Sequence, residues 1–110
     1  SPTKLEAIVT LDEKIGQILA GEIPDGYEPC TIGRVRTKLK RGLFVEAVSL
    51  IRNPFEDIYV YEIINETNSL KEISEKELEG QGSCWIHLES CKIKPKSKAM
   101  LVISYRRVLS

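Results

Sequence analysis

The sequence predicts a mainly β fold, an antiparallel β-sandwich, and three observations carry that prediction. Five stretches alternate apolar with polar residues or are rich in β-branched and aromatic side chains; Gly, Pro or Asn separates most of them; and few segments space their apolar residues as a helix would. A chain of 110 residues, 42% of them hydrophobic, can bury a real core as one domain spanning residues 1–110.

The first expected strand covers residues 5–11. Residues 31–40 and 43–52 follow, and the tight "KRG" between them favours a hairpin. "RNPFED" is the next turn, because Pro54 removes a backbone donor and turns Asn53 away from helix. Residues 57–65 and 99–108 complete the long strands, with a shorter one over 84–88. One short helix near residues 11–20 competes with the all-β picture. In "TLDEKIGQILAG", Thr10 stands three residues before Glu13, Leu11, Ile15, Ile18 and Leu19 recur at helical spacing, and Gly21 can end the helix. Gly16 within it costs about 1 kcal/mol relative to Ala, so "GQILAGEI" also reads as a strand. "SLKEISEKELEG" carries a Ser69, Glu72 capping pattern but few apolar residues, and reads as a solvated helical turn or an acidic connection.

Sixteen basic residues balance sixteen acidic ones, which removes the simplest reason to expect a nucleic-acid binder. No apolar run approaches the roughly 20 residues of a membrane span. A chain that begins at Ser1 without Met reads as a fragment of a longer protein. Cys30, Cys84 and Cys91 are too few and too odd in number for a disulfide framework and read as reduced, mostly core residues, which tilts the setting toward the cytoplasm. Cys84 and Cys91 would lie about 23 Å apart on one straight strand, so only a turn between them would let them pair.

No catalytic motif emerges. His87, the one histidine, follows Cys84 and precedes Cys91 in a spacing that suggests a metal, but alternation along a strand sends Cys84 and His87 to opposite faces. No Gly-x-Ser-x-Gly elbow and no phosphate-cradling loop is present. The expectation is a non-enzyme without cofactor or metal. Asn65-Glu66-Thr67 fits the acceptor pattern for N-glycosylation at a strand end, where Asn65 would be accessible.

Two basic rows are the candidate binding residues. "GRVRTKLKRG" places Arg34, Arg36, Lys38 and Lys40 at alternate positions, and "CKIKPKSKAM" does the same with Lys92, Lys94, Lys96 and Lys98. On strands each row occupies one face, with Val35 and Leu39 turned to the core side. Such rows suit an acidic protein segment, an anionic lipid surface or nucleic acid, and they are also what the wet face of a half-buried sheet looks like. Single-strand binders add stacking aromatics, and no aromatic interleaves with either row.

From residue 43 to 108 the chain resembles an immunoglobulin-like β-sandwich of the major sperm protein, ASH or PapD-like kind. "FVEAVSLIRNPFEDIYVYEI" and "CWIHLESCKIKPKSKAMLVISYRRV" carry the likeness, the latter through a strand leading into an Ile-x-Pro phrase and another alternating strand. "IGQILAGEIP" resembles the early Gly-containing strand of those families, which would replace the helix. The Cys, Trp, Cys arrangement of antibody-type domains is absent, since Trp85 directly follows Cys84. The resemblance implies a scaffold or interaction module that binds a partner protein or peptide through a sheet face or strand edge.

Overall fold

A computed structural model describes residues 10–108. The strand expected over residues 5–11 falls on residues outside this range up to 9, and Leu11 opens a helix instead. In chain order the elements are helix α1 (Leu11–Leu19), β1 (Glu28–Cys30), β2 (Arg36–Lys38), a 3-10 turn (Lys40–Gly42), β3 (Leu43–Arg52), β4 (Glu56–Asn65), β5 (Lys71–Glu72), helix α2 (Glu75–Leu78), β6 (Ser83–Leu88), β7 (Lys92–Ile93) and β8 (Ser97–Arg106). The chain is mainly β, and every strand pair is antiparallel.

The large sheet runs β1–β3–β4–β8–β6, with β2 sharing the outer flank of β3, while β5 and β7 form a two-stranded ribbon. Both faces of the large sheet are apolar at its centre. On one face Leu43, Ile63, Leu101 and Ile103 pack with Ile73 and Ile93 of the ribbon side, a sandwich-like arrangement whose second layer is short. On the other face Ile51, Ile58, Val60 and Val102 pack against Ile18 of α1. The helix reading of residues 11–20 therefore holds over the strand implied by the family resemblance. Thr10 caps it, accepting from the Glu13 amide at 3.1 Å, and Ile15 and Ile18 point inward from one stripe.

Sequence periodicity locates the three ten-residue strands to within two residues at either end. It fails over residues 31–40, where one strand was expected. Cys30 stands opposite Leu50 and Arg36 opposite Glu46, so residues 31–35 must span what three residues of β3 cover, and they loop out. Val35, expected on the core side, is consequently 69% exposed; Leu39 does pack on the core. The acidic connection also differs in detail. Its cap is Ser74 with Glu77 rather than Ser69 with Glu72, a complete capping box at the start of α2.

The turns follow their residues. The Asn53 side chain accepts from the amides of Phe55 at 2.8 Å and Glu56 at 2.7 Å, fixing the β3–β4 hairpin. At the opposite end, Asn65 is fully buried: Nδ2 donates to the carbonyls of Ser69, Ile93 and Lys94, and Oδ1 accepts from the amide and hydroxyl of Thr67. This side chain ties the end of β4 to β7. The expected accessibility of Asn65 as a glycosylation acceptor is thus corrected, because the reactive amide nitrogen is enclosed by carbonyls in the folded domain.

Two expected outcomes follow. Asn65→Ala deletes the hydrogen bonds of a fully buried side chain and should lower unfolding free energy by about 2–4 kcal/mol, read from urea melts; a loss within experimental scatter would contradict the role given to Asn65. Hydrogen bonds from Arg52, at 2.6 and 3.1 Å, hold the Asp57 carboxyl below its ordinary value, with Arg107 at 3.8 Å adding to the effect. A depressed carboxyl contributes stability above its unfolded value and loses it as pH falls through the folded one. Between about pH 5 and pH 2, Asp57→Asn should therefore flatten the decline in stability, and an unchanged slope would exclude this pair as a source of it.

Candidate functional site

Strand register decides what the two basic rows can do. Arg36, Glu46 and Glu62 lie side by side on β2, β3 and β4, on the face that also carries Ile58, Val60 and α1. Arg34 reaches Glu46 at 3.1 Å and Glu62 at 3.9 Å, and Arg36 pairs with Glu46 at 3.5 Å and with Glu66. From the other row Lys98 reaches Glu62 at 2.7 Å. Half of the first row and the end of the second row thus converge, but on three carboxylates of the same domain. Glu46 and Glu62 side chains are only 17% and 15% exposed, so partial desolvation gives each a need for a cation. Arg36 also lies over the Phe44 ring, 5.7 Å from its centroid, a cation–π contact from a strand neighbour that reading the row alone does not reveal.

The other members of the second row are dispersed. Lys96 has φ of 56° in the turn before β8, and its Nζ donates to the Glu66 carbonyl at 2.6 Å. Lys92 stands 4.0 Å from Glu72 across the ribbon, with both side chains exposed. Lys94 is exposed and lends its carbonyl to Asn65.

Lys38 and Lys40 are different. Among the described residues neither forms an ion pair, and both line a cleft of about 570 Å³ with Leu39, Arg41, Ile73, Glu77 and Leu78. Arg41 bonds Glu77 at 2.7 Å, which holds the Glu77 carboxyl below its ordinary value, assisted by the Ser74 amide. Arg41 breaks the alternation of the basic row and Glu77 lies 36 residues away, so no local pattern pairs them. Beside this cleft, β2 is exposed at all three residues and, among the described residues, pairs on one side only. The Leu39 amide donates to Leu43 at 2.8 Å, which by alternation turns the backbone groups of Arg36 and Lys38 outward. The opposite edge strand, β6, has its Leu88 amide taken by Glu75 at 3.1 Å and a bulge at Cys84.

A further polar network joins the helix to the sheet. Lys14 bonds the Tyr27 hydroxyl at 3.0 Å, Tyr27 donates to Glu56, and the buried Ser104 donates to the same carboxylate. Burial and Glu56 push the Tyr27 phenol far above its ordinary value, so it stays a donor that ties α1 and the 20–27 connection to the sheet. Cys84 and Cys91 are free and exposed and Cys30 is half-buried, contrary to the expectation of core thiols: Cys84 sits at the β6 bulge and Cys91 in the turn before β7. His87 is half-buried on β6, opposite Val102.

Replacing both Glu46 and Glu62 by Gln should release Arg34, Arg36 and Lys98. The double variant is expected to elute from heparin at clearly higher salt than the parent chain, and identical elution would show that the glutamates do not mask this face.

Compared with models of known protein families and with curated proteins, the chain matches none.

Proposed function

We propose that this domain is a non-catalytic interaction module that binds an acidic, extended segment of a partner protein along the free edge of β2. One observation carries the reading: among the described residues β2 is exposed at all three positions and pairs on one side only, and Lys38 at its end and Lys40 just beyond have no carboxylate partner. An edge of this kind binds by strand addition, in which backbone hydrogen bonds supply affinity and side chains at alternate positions supply selectivity. Lysine on an edge strand blocks chance pairing with a neutral strand and favours an acidic one.

The likeness of residues 43–108 to sandwich modules of the major sperm protein, ASH or PapD-like kind supports the same reading, since such modules recognise peptides or act as scaffolds. The alternative of nucleic acid or anionic lipid read by both basic rows is less well supported, because Arg34, Arg36 and Lys98 already face Glu46, Glu62 and Glu66.

A synthetic peptide of alternating Glu and Val serves as the probe. It is expected to shift the Arg36 and Lys38 amide resonances. Exchange of Lys38 and Lys40 for Glu should remove the binding, as should Lys38→Pro, which deletes an outward N–H without touching the β2–β3 ladder. Binding unchanged in both variants, or no shift at β2, overturns the proposal.

A further inference from the structure

The cleft beside β2 has a companion. A second depression, about 670 Å³, is lined by Leu70, Lys71, Glu72 and Lys92, and it shares Arg41, Ile73 and Glu77 with the first. The two are halves of one trough, and the Arg41–Glu77 ion pair lies across it as a bar. Its floor is apolar: Ile73 is 6% exposed, and Leu39 and Leu78 pack partly buried against the same core. Its rim is basic, with five cations against Glu72 and Glu77, in a chain whose total charge is zero.

The bar is held in place by an uncommon backbone. Arg41 has φ of 62° and ψ of 26°, a left-handed conformation that residues with side chains rarely adopt and that Gly or Asn would occupy more easily in a hairpin loop. Gly42 follows at φ of 79°, and a Cβ there would meet Thr67 Cγ2 at 2.6 Å, so the turn cannot relax by exchanging its glycine for another residue. The turn starts the Arg41 side chain from the wall that both depressions share. Glu77, its carboxyl held below its ordinary value by the Arg41 guanidinium, pairs with it at 2.7 Å.

We infer that this trough is the specificity pocket of the partner site, taking an apolar side chain of an acidic peptide onto Ile73, Leu39 and Leu78 while a neighbouring peptide carboxylate displaces Glu77 from Arg41. The inference rests on the strand-addition reading and adds to it the partner's chemistry: a Leu-like anchor flanked by Asp or Glu. Charge complementarity selects the acidic flank, the apolar floor selects the anchor, and the trough begins where β2 ends, so a strand added to that edge runs into it. Glu77 then acts as an internal competitor that any ligand must outbid electrostatically.

The test compares hexaglutamate, the same peptide with a central Leu, and a Gln-for-Glu version of the latter, using methyl and amide resonances of the whole chain. The acidic Leu peptide is expected to shift the Ile73, Leu39 and Leu78 methyl groups and to bind more tightly than either control. Glu77→Gln should strengthen its binding about two- to fivefold by removing the competitor, and Arg41→Gly, which suits the positive φ and spares the fold, should weaken it at least as much. Shifts at the Arg36 and Lys38 amides without methyl shifts, or indifference to both variants, overturn the pocket and leave strand addition standing. No shift anywhere overturns both. Binding of anionic vesicles or single-stranded RNA that is lost on Arg41→Gly, with no peptide binding, overturns the assignment to a protein partner.

Discussion

Strand β4 is flanked by β3 and β8 along its whole length, and its side chains alternate between two faces that both need cover. Ile58 and Val60 leave water only if something lies on one side, and Ile63 only if something lies on the other. The remaining elements are arranged around that constraint. Helix α1 covers the first face with Ile18, and the short ribbon covers the second with Ile73 and Ile93. Full burial of one such aliphatic side chain contributes about 1.5–3 kcal/mol, so two faces of them outweigh any single polar contact in the molecule.

Polar groups then act as fasteners where these covers attach. Asn65 holds the ribbon end, where β4 stops and the chain must cross to β5, by offering its amide to the carbonyls of Ser69, Ile93 and Lys94. Tyr27 and Glu56 hold the helix side, with the Ser104 hydroxyl buried beneath them. Arg52, Asp57 and Arg107 close the far end of the sheet, where Arg107 also donates to the Asn53 carbonyl. Each fastener satisfies backbone or side-chain groups that burial would otherwise leave unpaired, which is costlier than the net value of the bond formed.

Charge is distributed by the same logic. Glu46 and Glu62 project from central strands on a face that is only partly solvated, and cations from an edge strand and from β8 gather on them. That leaves the hairpin turn and ribbon with an excess of positive charge near an apolar trough. A net charge of zero therefore conceals one neutral face and one basic trough, and the partner site proposed for β2 sits at the second.

The strands 43–52, 57–65 and 99–108, the helix at 11–20 and the turn at Asn53 were legible because each rests on local chemistry: period-two alternation, a Thr cap, an Asx side chain within three residues. Residues 31–40 were misread as one strand because nothing in their own pattern records that β3 covers the same distance with fewer residues. Asn65 was misread as exposed for a similar reason, since the carbonyls around it come partly from residues 93 and 94. Of the candidate site, Lys38 and Lys40 were visible as members of an alternating row, whereas Arg41 with Glu77 and the trough over Ile73 were not. Sequence alone determined which residues can alternate, cap and turn, because those depend on neighbours in the chain. Tertiary structure decided which cations are neutralised and which face a cleft, because ion pairing depends on distances between strands that the chain order does not encode.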